Sequence, residues 1–296
     1  MSRKPFSIQA VLALCFILYT TGCTTTKPAP NPKLVVLGHA GSGFFTPINP
    51  FNFRPPSSWR GVRHALRIGA DGVEIDLQLS QDSVVMLYHD QQLENSSTGH
   101  GCVSQHPAAE LTRLHYHGGW PYDWIQKERP ITFDTLLARL SRRPTFPRLH
   151  LDLHEDDQCL PAGRQHERVP LLIRQLARSL RHYQVPAGRV LLITQEGSTV
   201  RLAQAALPGV RIGLEIASDE FAAGLRVAKT EQVPIVVLDA DRVTPEQSAQ
   251  VHAAGLQVVV FGGRSPKDIR RVLAAQPDEI EADNVKRALL IQGRGR

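Results

Sequence analysis

Residues 69–94 read GADGVEIDLQLSQDSVVMLYHDQQLE, two strand-like apolar runs (72–79 and 83–89) on either side of a short turn. Glu74 and Asp76 stand two positions apart in the first run, so both leave the same side of the strand. Burying two acids on one strand face costs free energy unless a cation or another partner compensates. The second run closes on His89-Asp90. An otherwise Val/Ile/Leu segment with those four polar residues at its ends predicts a strand pair that delivers charge to a site.

Working outward, further apolar runs alternate with amphipathic stretches. The full set of predicted strands is 33–40, 72–79, 83–89, 148–155, 189–195, 211–217, 234–240 and 257–263. Near-continuous Val/Ile/Leu runs are the pattern of parallel strands covered on both faces. Helices are expected over 57–68, 165–183, 197–206, 218–229, 244–254 and 266–275, the fifth opened by Thr244-Pro245-Glu246. Residues 94–148 form a long insertion. Eight strands with mostly intervening helices predict a single-domain TIM (β/α)8 barrel over 33–296. A doubly wound sheet is the alternative, and no Gly-rich dinucleotide fingerprint follows the first strand.

On that frame His39 ends the first strand, Glu74 and Asp76 lie late in the second, His89 ends the third and Asp152 lies late in the fourth. In a barrel these positions converge on the C-terminal rim, where catalytic groups collect. Glu74, Asp76 and Asp152 would form an all-oxygen cluster suited to a hard divalent cation, Ca2+ or Mg2+. Two flanking histidines would give and take protons near neutral pH. His115 and His117 have no such company and are read as loop residues.

The chain ends and the charge bound the rest. Arg3 and Lys4 precede a short apolar core and then Thr-Gly-Cys at 21–23, a secretory leader over 1–22. The small residues before Cys23 resemble the lipobox of bacterial lipoproteins, with Thr20 where Leu is usual. Cys23 would then carry lipid, residues 23–32 would be a Pro-rich tether, and the domain would sit lipid-anchored in a bacterial envelope, facing periplasm or exterior. Removing the leader takes Arg3 and Lys4 from the 34 basic residues, leaving 32 against 28 acidic ones, a net +4. So mild a balance, without a dense basic run, argues against nucleic-acid binding. No protein partner is indicated. Cys102 and Cys159 remain as an even pair in an oxidising compartment and are expected to be bridged.

With these residues on the page, the chain resembles the glycerophosphodiester phosphodiesterase family from about residue 35 to 290. The 69–90 block matches the family's Gly-Ala-Asp-x-x-Glu-x-Asp … His-Asp signature, Gly38-His39-Ala40-Gly41 stands at its His-Arg-Gly, and 149–155 at its Glu-x-Lys strand. The resemblance implies a TIM barrel, a divalent cation and cleavage of small-molecule phosphodiesters, lysophospholipids included, to a phosphomonoester and an alcohol. Carried over by position, Glu74, Asp76 and Asp152 are metal ligands and His39 and His89 the catalytic pair. The departures are specific. Ala40 replaces the family Arg, His154 its Lys, Phe261 its Trp, and Pro55-Pro56-Ser57-Ser58 falls on its Pro-Glu-Asn-Thr. His154, Arg54 or Arg60 would then meet the phosphate, and the Phe/Pro-rich loop 41–56 could line an apolar pocket. The competing reading is a catalytically weakened metal- or phosphate-binding envelope lipoprotein; a barrel enzyme for another substrate is a third.

Overall fold

The computed structural model describes residues 34–44 and 52–294. The leader, Cys23, the tether and part of the 41–56 loop lie outside the described residues.

Eight parallel strands close into a ring: β1 (Val35–Gly38), β2 (Gly72–Leu79), β5 (Arg148–Leu153), β6 (Val190–Thr194), β7 (Arg211–Glu215), β8 (Ile235–Asp239), β9 (Gln257–Gly262) and β10 (Glu279–Ala282). Closure is made where β1 pairs with both β2 and β10. Helices α1 (Trp59–Arg67), α4 (Phe133–Leu140), α5 (Val169–His182), α6 (Gly197–Ala206), α7 (Phe221–Thr230), α8 (Pro245–Ala253), α9 (Pro266–Ala274) and α10 (Val285–Ile291) form the outer layer. This is the TIM barrel that the alternation of runs predicts. The expected start of α8 is present: Thr244 accepts from the Gln247 N–H, and Gln247 caps back onto Thr244.

The identity of one stave differs from the expectation. Residues 83–89 supply no barrel strand. β3 (Val85–Leu87) folds back antiparallel on β2 and pairs on its other edge with β4 (Ile131–Thr132). A turn from Ser80 to Ser83 joins β2 to β3, closed by Ser80 N–H to the Val84 carbonyl. A parallel neighbour needs a crossover of about a dozen residues, so the five residues between β2 and β3 permit only a hairpin. The eighth stave is β10, whose Asp-Glu-Ile-Glu-Ala sequence conceals a buried strand behind its acids. The insertion adds the short helices α2 (Ala108–Leu111) and α3 (Tyr122–Ile125) over the rim.

The main core lies between ring and helices, where alternate strand residues such as Val36, Ile75 and Leu151 meet Leu66, Leu137 and Leu176. Inside the ring the two halves differ. Leu191, Ile193, Ile235, Val237 and Val259 pack as an apolar wall, while β2, β5 and β10 turn Glu74, Asp76, His150, Glu279 and Glu281 inward, all buried.

Candidate active site and metal centre

β2 and β5 are neighbours in register, with Glu74 opposite His150 and Asp76 opposite Asp152. Strand alternation therefore sends Asp76 and Asp152 into the barrel side by side, with His154 just beyond the end of β5. Ligand atoms of Asp76, Asp152 and His154 all lie within 4.8 Å of one another. His154 Nε2 is 3.1 Å from Asp76 Oδ1 and 3.9 Å from Asp152 Oδ2. Asp76 is fixed from its other side by Ser57, whose hydroxyl donates to Oδ2 at 2.5 Å and accepts from the Asp76 N–H at 3.0 Å. The Pro-Pro-Ser-Ser stretch thus keeps a role: Ser57 holds a carboxylate, and Ser58 caps α1.

Glu74 sits apart from that trio, though it lines the same cavity. Its Oε2 accepts from the Ala40 N–H at 2.5 Å, and its buried Oε1 has no hydrogen-bond partner among the described residues. An orphaned, buried carboxylate oxygen beside two aspartates fits a cation held there. The electrostatics agree. Burial and the neighbouring charges of Asp76, Glu281 and Asp152 push the Glu74 carboxyl well up. Burial lifts Asp152 to about 8 despite His154. Burial alone would raise Asp76 too, but the hydrogen bond from His154 and the His89 and His154 charges hold it well below the usual range. Too many acids share too few protein cations; a divalent ion would relieve that. His154, expected at the phosphate, lines the same cavity and bonds to Asp76.

The two predicted catalytic histidines come from different elements yet share one design. His39 follows β1 and donates from Nδ1 to Asp283 Oδ1 at 2.8 Å; His89 follows β3 and pairs its Nδ1 with Asp90 Oδ1 at 3.1 Å. A carboxylate acceptor fixes the proton on Nδ1. Among the described residues neither Nε2 has a hydrogen-bond partner. Burial would lower His39, but the Asp283 charge and hydrogen bond outweigh it and raise it to about 9. Phe44 stands between the two rings, edge-on to His39 at 5.3 Å and to His89 at 4.9 Å, and Phe261 packs 5.7 Å from His39. The loop bearing His39 touches the last one: a Cβ on Gly43, which has φ +78°, would lie 1.9 Å from the Asp283 carbonyl oxygen. Only glycine fits there.

These groups line a cavity of about 780 Å³. Arg54 lines it and is tied to Asn52, which in turn donates to the Ser42 and Gly43 carbonyls. Arg60, expected beside it, is on α1 and outside the lining, since that helix packs on the outer surface of the ring. Sequence reasoning missed Arg264, which lines the cavity and donates to Asp283 Oδ2 at 3.2 Å. It also missed Asp283 and Glu281 themselves. Their signal was alternation: 279, 281 and 283 all carry acids in a segment that otherwise reads as a short buried strand. Gly118 and Tyr122 form part of the mouth, and the same segment presents Trp120 and Trp124, 78% and 76% exposed, as an edge-to-face pair. The expected Cys102–Cys159 disulfide is present and ties the insertion to the segment after β5. No described helix is long and apolar enough to cross a membrane.

Comparison with known proteins places this geometry. Residues 53–287 match the family model described as the glycerophosphoryl diester phosphodiesterase family. A Bacillus altitudinis protein named glycerophosphodiester phosphodiesterase is 23% identical over 245 residues, covering 80% of this chain and 93% of its own. A Mycobacterium tuberculosis (strain ATCC 25618 / H37Rv) protein, "Probable glycerophosphodiester phosphodiesterase 1", is 41% identical over 71 residues; the match spans only 26% of its length and 24% of this chain. Among solved structures, an Oleispira antarctica phosphodiesterase in complex with the product sn-glycerol-3-phosphate superposes with a TM-score of 0.72 at 20% identity, over 87% of this chain and 96% of that one. A glycerophosphodiester phosphodiesterase from Agrobacterium tumefaciens str. C58 gives 0.66 at 20% identity, over 87% and 99%.

Proposed function

The chain belongs to the glycerophosphoryl diester phosphodiesterase family, and from that premise we propose that it is a metal-dependent phosphoric diester hydrolase. Its substrates are glycerophosphodiesters or related phospholipid head-group diesters, cut to a phosphomonoester and an alcohol. The observation that carries the reading is the pairing of His39 with Asp283 and His89 with Asp90 on one cavity, above the Glu74/Asp76/Asp152 carboxylates.

When bound, a divalent cation would polarise a phosphoryl oxygen and offset its charge. Three carboxylates alone suit Ca2+ or Mg2+; His154 beside them adds a donor of different chemistry. The protein's own groups do the proton work. Asp283 stabilises the imidazolium of His39, which suits it to protonate the leaving alkoxide. His89, oriented by Asp90, accepts the proton of the attacking hydroxyl. Arg54 and Arg264 face the cavity and supply the positive charge that Ala40 and His154 no longer bring as Arg and Lys. That replacement favours the enzyme over a binding-only lipoprotein.

A purified domain assayed on glycerophosphocholine should turn over, lose activity with chelator, and lose about 10³-fold in kcat as His39→Ala. Metal binding without turnover of any phosphodiester would sink the proposal. The exposed Trp120/Trp124 pair beside Tyr122 favours lipid-derived substrates among these. On that reading, removing both indoles should lower turnover of lysophosphatidylcholine more than that of glycerophosphocholine. We also infer envelope anchoring through Cys23, supported by a disulfide that suits an oxidising compartment. Membrane fractionation of the wild type and Cys23→Ser checks it: both remaining membrane-bound would overturn it.

A further inference from the structure

We propose that His154 is itself a ligand of the cation, so that the centre is a mixed nitrogen–oxygen site that selects a first-row transition ion, of the Mn2+ to Zn2+ kind, over Mg2+ and Ca2+. This deepens the functional reading, on which it rests for the presence of an ion in this cavity.

The geometry is that of donors around one ion. Two ligands bonded at about 2.1 Å stand about 3.0 Å apart at a right angle and about 4.2 Å apart when opposite. His154 Nε2 lies 3.1 Å from Asp76 Oδ1 and 3.9 Å from Asp152 Oδ2, within that span on both sides. A residue meant to receive phosphate would hold its charged end toward the open cavity. His154 instead turns Nε2 onto the two carboxylates and packs its ring 5.6 Å from His89. Its own backbone is pinned by an N–H bond to the Leu77 carbonyl, so the imidazole is delivered from a fixed strand end. The independent sign of a missing charge is Glu74 Oε1, buried and without a partner among the described residues on the same cavity.

The donor chemistry then sets the preference. Mg2+ and Ca2+ take oxygen and, for Mg2+, retained waters, whereas imidazole suits Zn2+ and its neighbours. Binding requires the neutral ring, so loading the site releases the proton shared by His154 and Asp76 to solvent.

The test uses metal-stripped protein without substrate. Calorimetric titration should give a Zn2+ affinity at least about 100-fold above that for Mg2+, with Mn2+ between them. Electron spin echo spectra of the Mn2+ form should show coupling to an imidazole 14N. His154→Ala should abolish that coupling and weaken Zn2+ about 100-fold while moving Mg2+ less than threefold. His154→Lys should likewise lose the transition-ion preference. Comparable Mg2+ and Zn2+ affinities, absence of 14N coupling in the wild type, or coupling that survives in His154→Ala would each overturn the proposal. The wild-type spectrum stands even if a variant misfolds. A protein that binds metal as described but cleaves no diester sinks the functional reading alone; turnover on Mg2+ with no nitrogen signal sinks this one alone.

Discussion

The barrel interior holds two clusters of acids, and they are built to opposite ends. Below, His150 donates from Nδ1 to Glu281 and from Nε2 to Glu279, and Glu279 also accepts from Arg211 at 2.7 Å and Arg148 at 3.4 Å. Above, Asp76 and Asp152 share the His154 imidazole, His39 Nε2 lies 3.9 Å from Glu74, and Glu74 keeps an oxygen with no partner among the described residues. Protonation follows suit: His150 and Arg211 outweigh burial and hold Glu279 down to about 2, while burial drives Asp152 up to about 8. Acids on inward strand positions are thus not a site in themselves. The lower set closes on the protein's own cations and serves the fold; the upper set is left short of charge, a deficit that a bound cation would relieve.

The contrast can be broken in several ways. The largest effect is expected from His150→Leu, which strands two carboxylates and should cost about 3–5 kcal/mol by denaturant unfolding. Glu74→Gln in the upper set should leave the metal-free protein as stable or more so. Equal losses from both would erase the distinction. The rim is instead tied covalently, and Cys102→Ala/Cys159→Ala, opening a loop of 57 residues, should lower stability by about 4 kcal/mol on the loop-entropy account. Acid should then single out the lower cluster. Glu279 is depressed from 4.5 to about 2, so its contribution, about 3 kcal/mol, is whole above pH 4.5 and fades as pH falls toward 2. Unfolding followed from pH 5 to 2 with chelator present should show that loss in the wild type and a flatter curve in Glu279→Gln. Raised acids such as Asp152 carry the reverse sign, adding stability at low pH and losing it as pH climbs through about 8. Smallest is Ser57→Ala, which frees Asp76 and should weaken metal affinity about 10-fold with under 1.5 kcal/mol of stability lost; an unchanged affinity would show that Asp76 needs no such support.

Much of this was legible in the sequence because strand periodicity puts alternate residues on one face: Glu74, Asp76 and Asp152 could be read to a common rim from two segments. His89 reached the cavity although its strand was misassigned, since a hairpin after β2 still ends at the rim. What stayed hidden depends on register between distant strands. His150 meets Glu279 and Glu281 across 129 and 131 residues, and no local pattern tells that pairing from the one above it. β10 escaped because its acids mimic a solvated loop, and with it went Asp283, the partner of His39. Arg60 and Arg264 differ only in which side of the ring their elements face, which periodicity in a nine-residue helix or a loop does not fix.

The contact of His39 with Asp283 joins the first strand of the barrel to the segment after the last, 244 residues on. During synthesis, then, the His39–Asp283 pair forms only after the segment that carries β10 and Asp283 has emerged. A product clipped before Glu279 lacks both the carboxylate that pairs with His39 and the strand that shuts the ring.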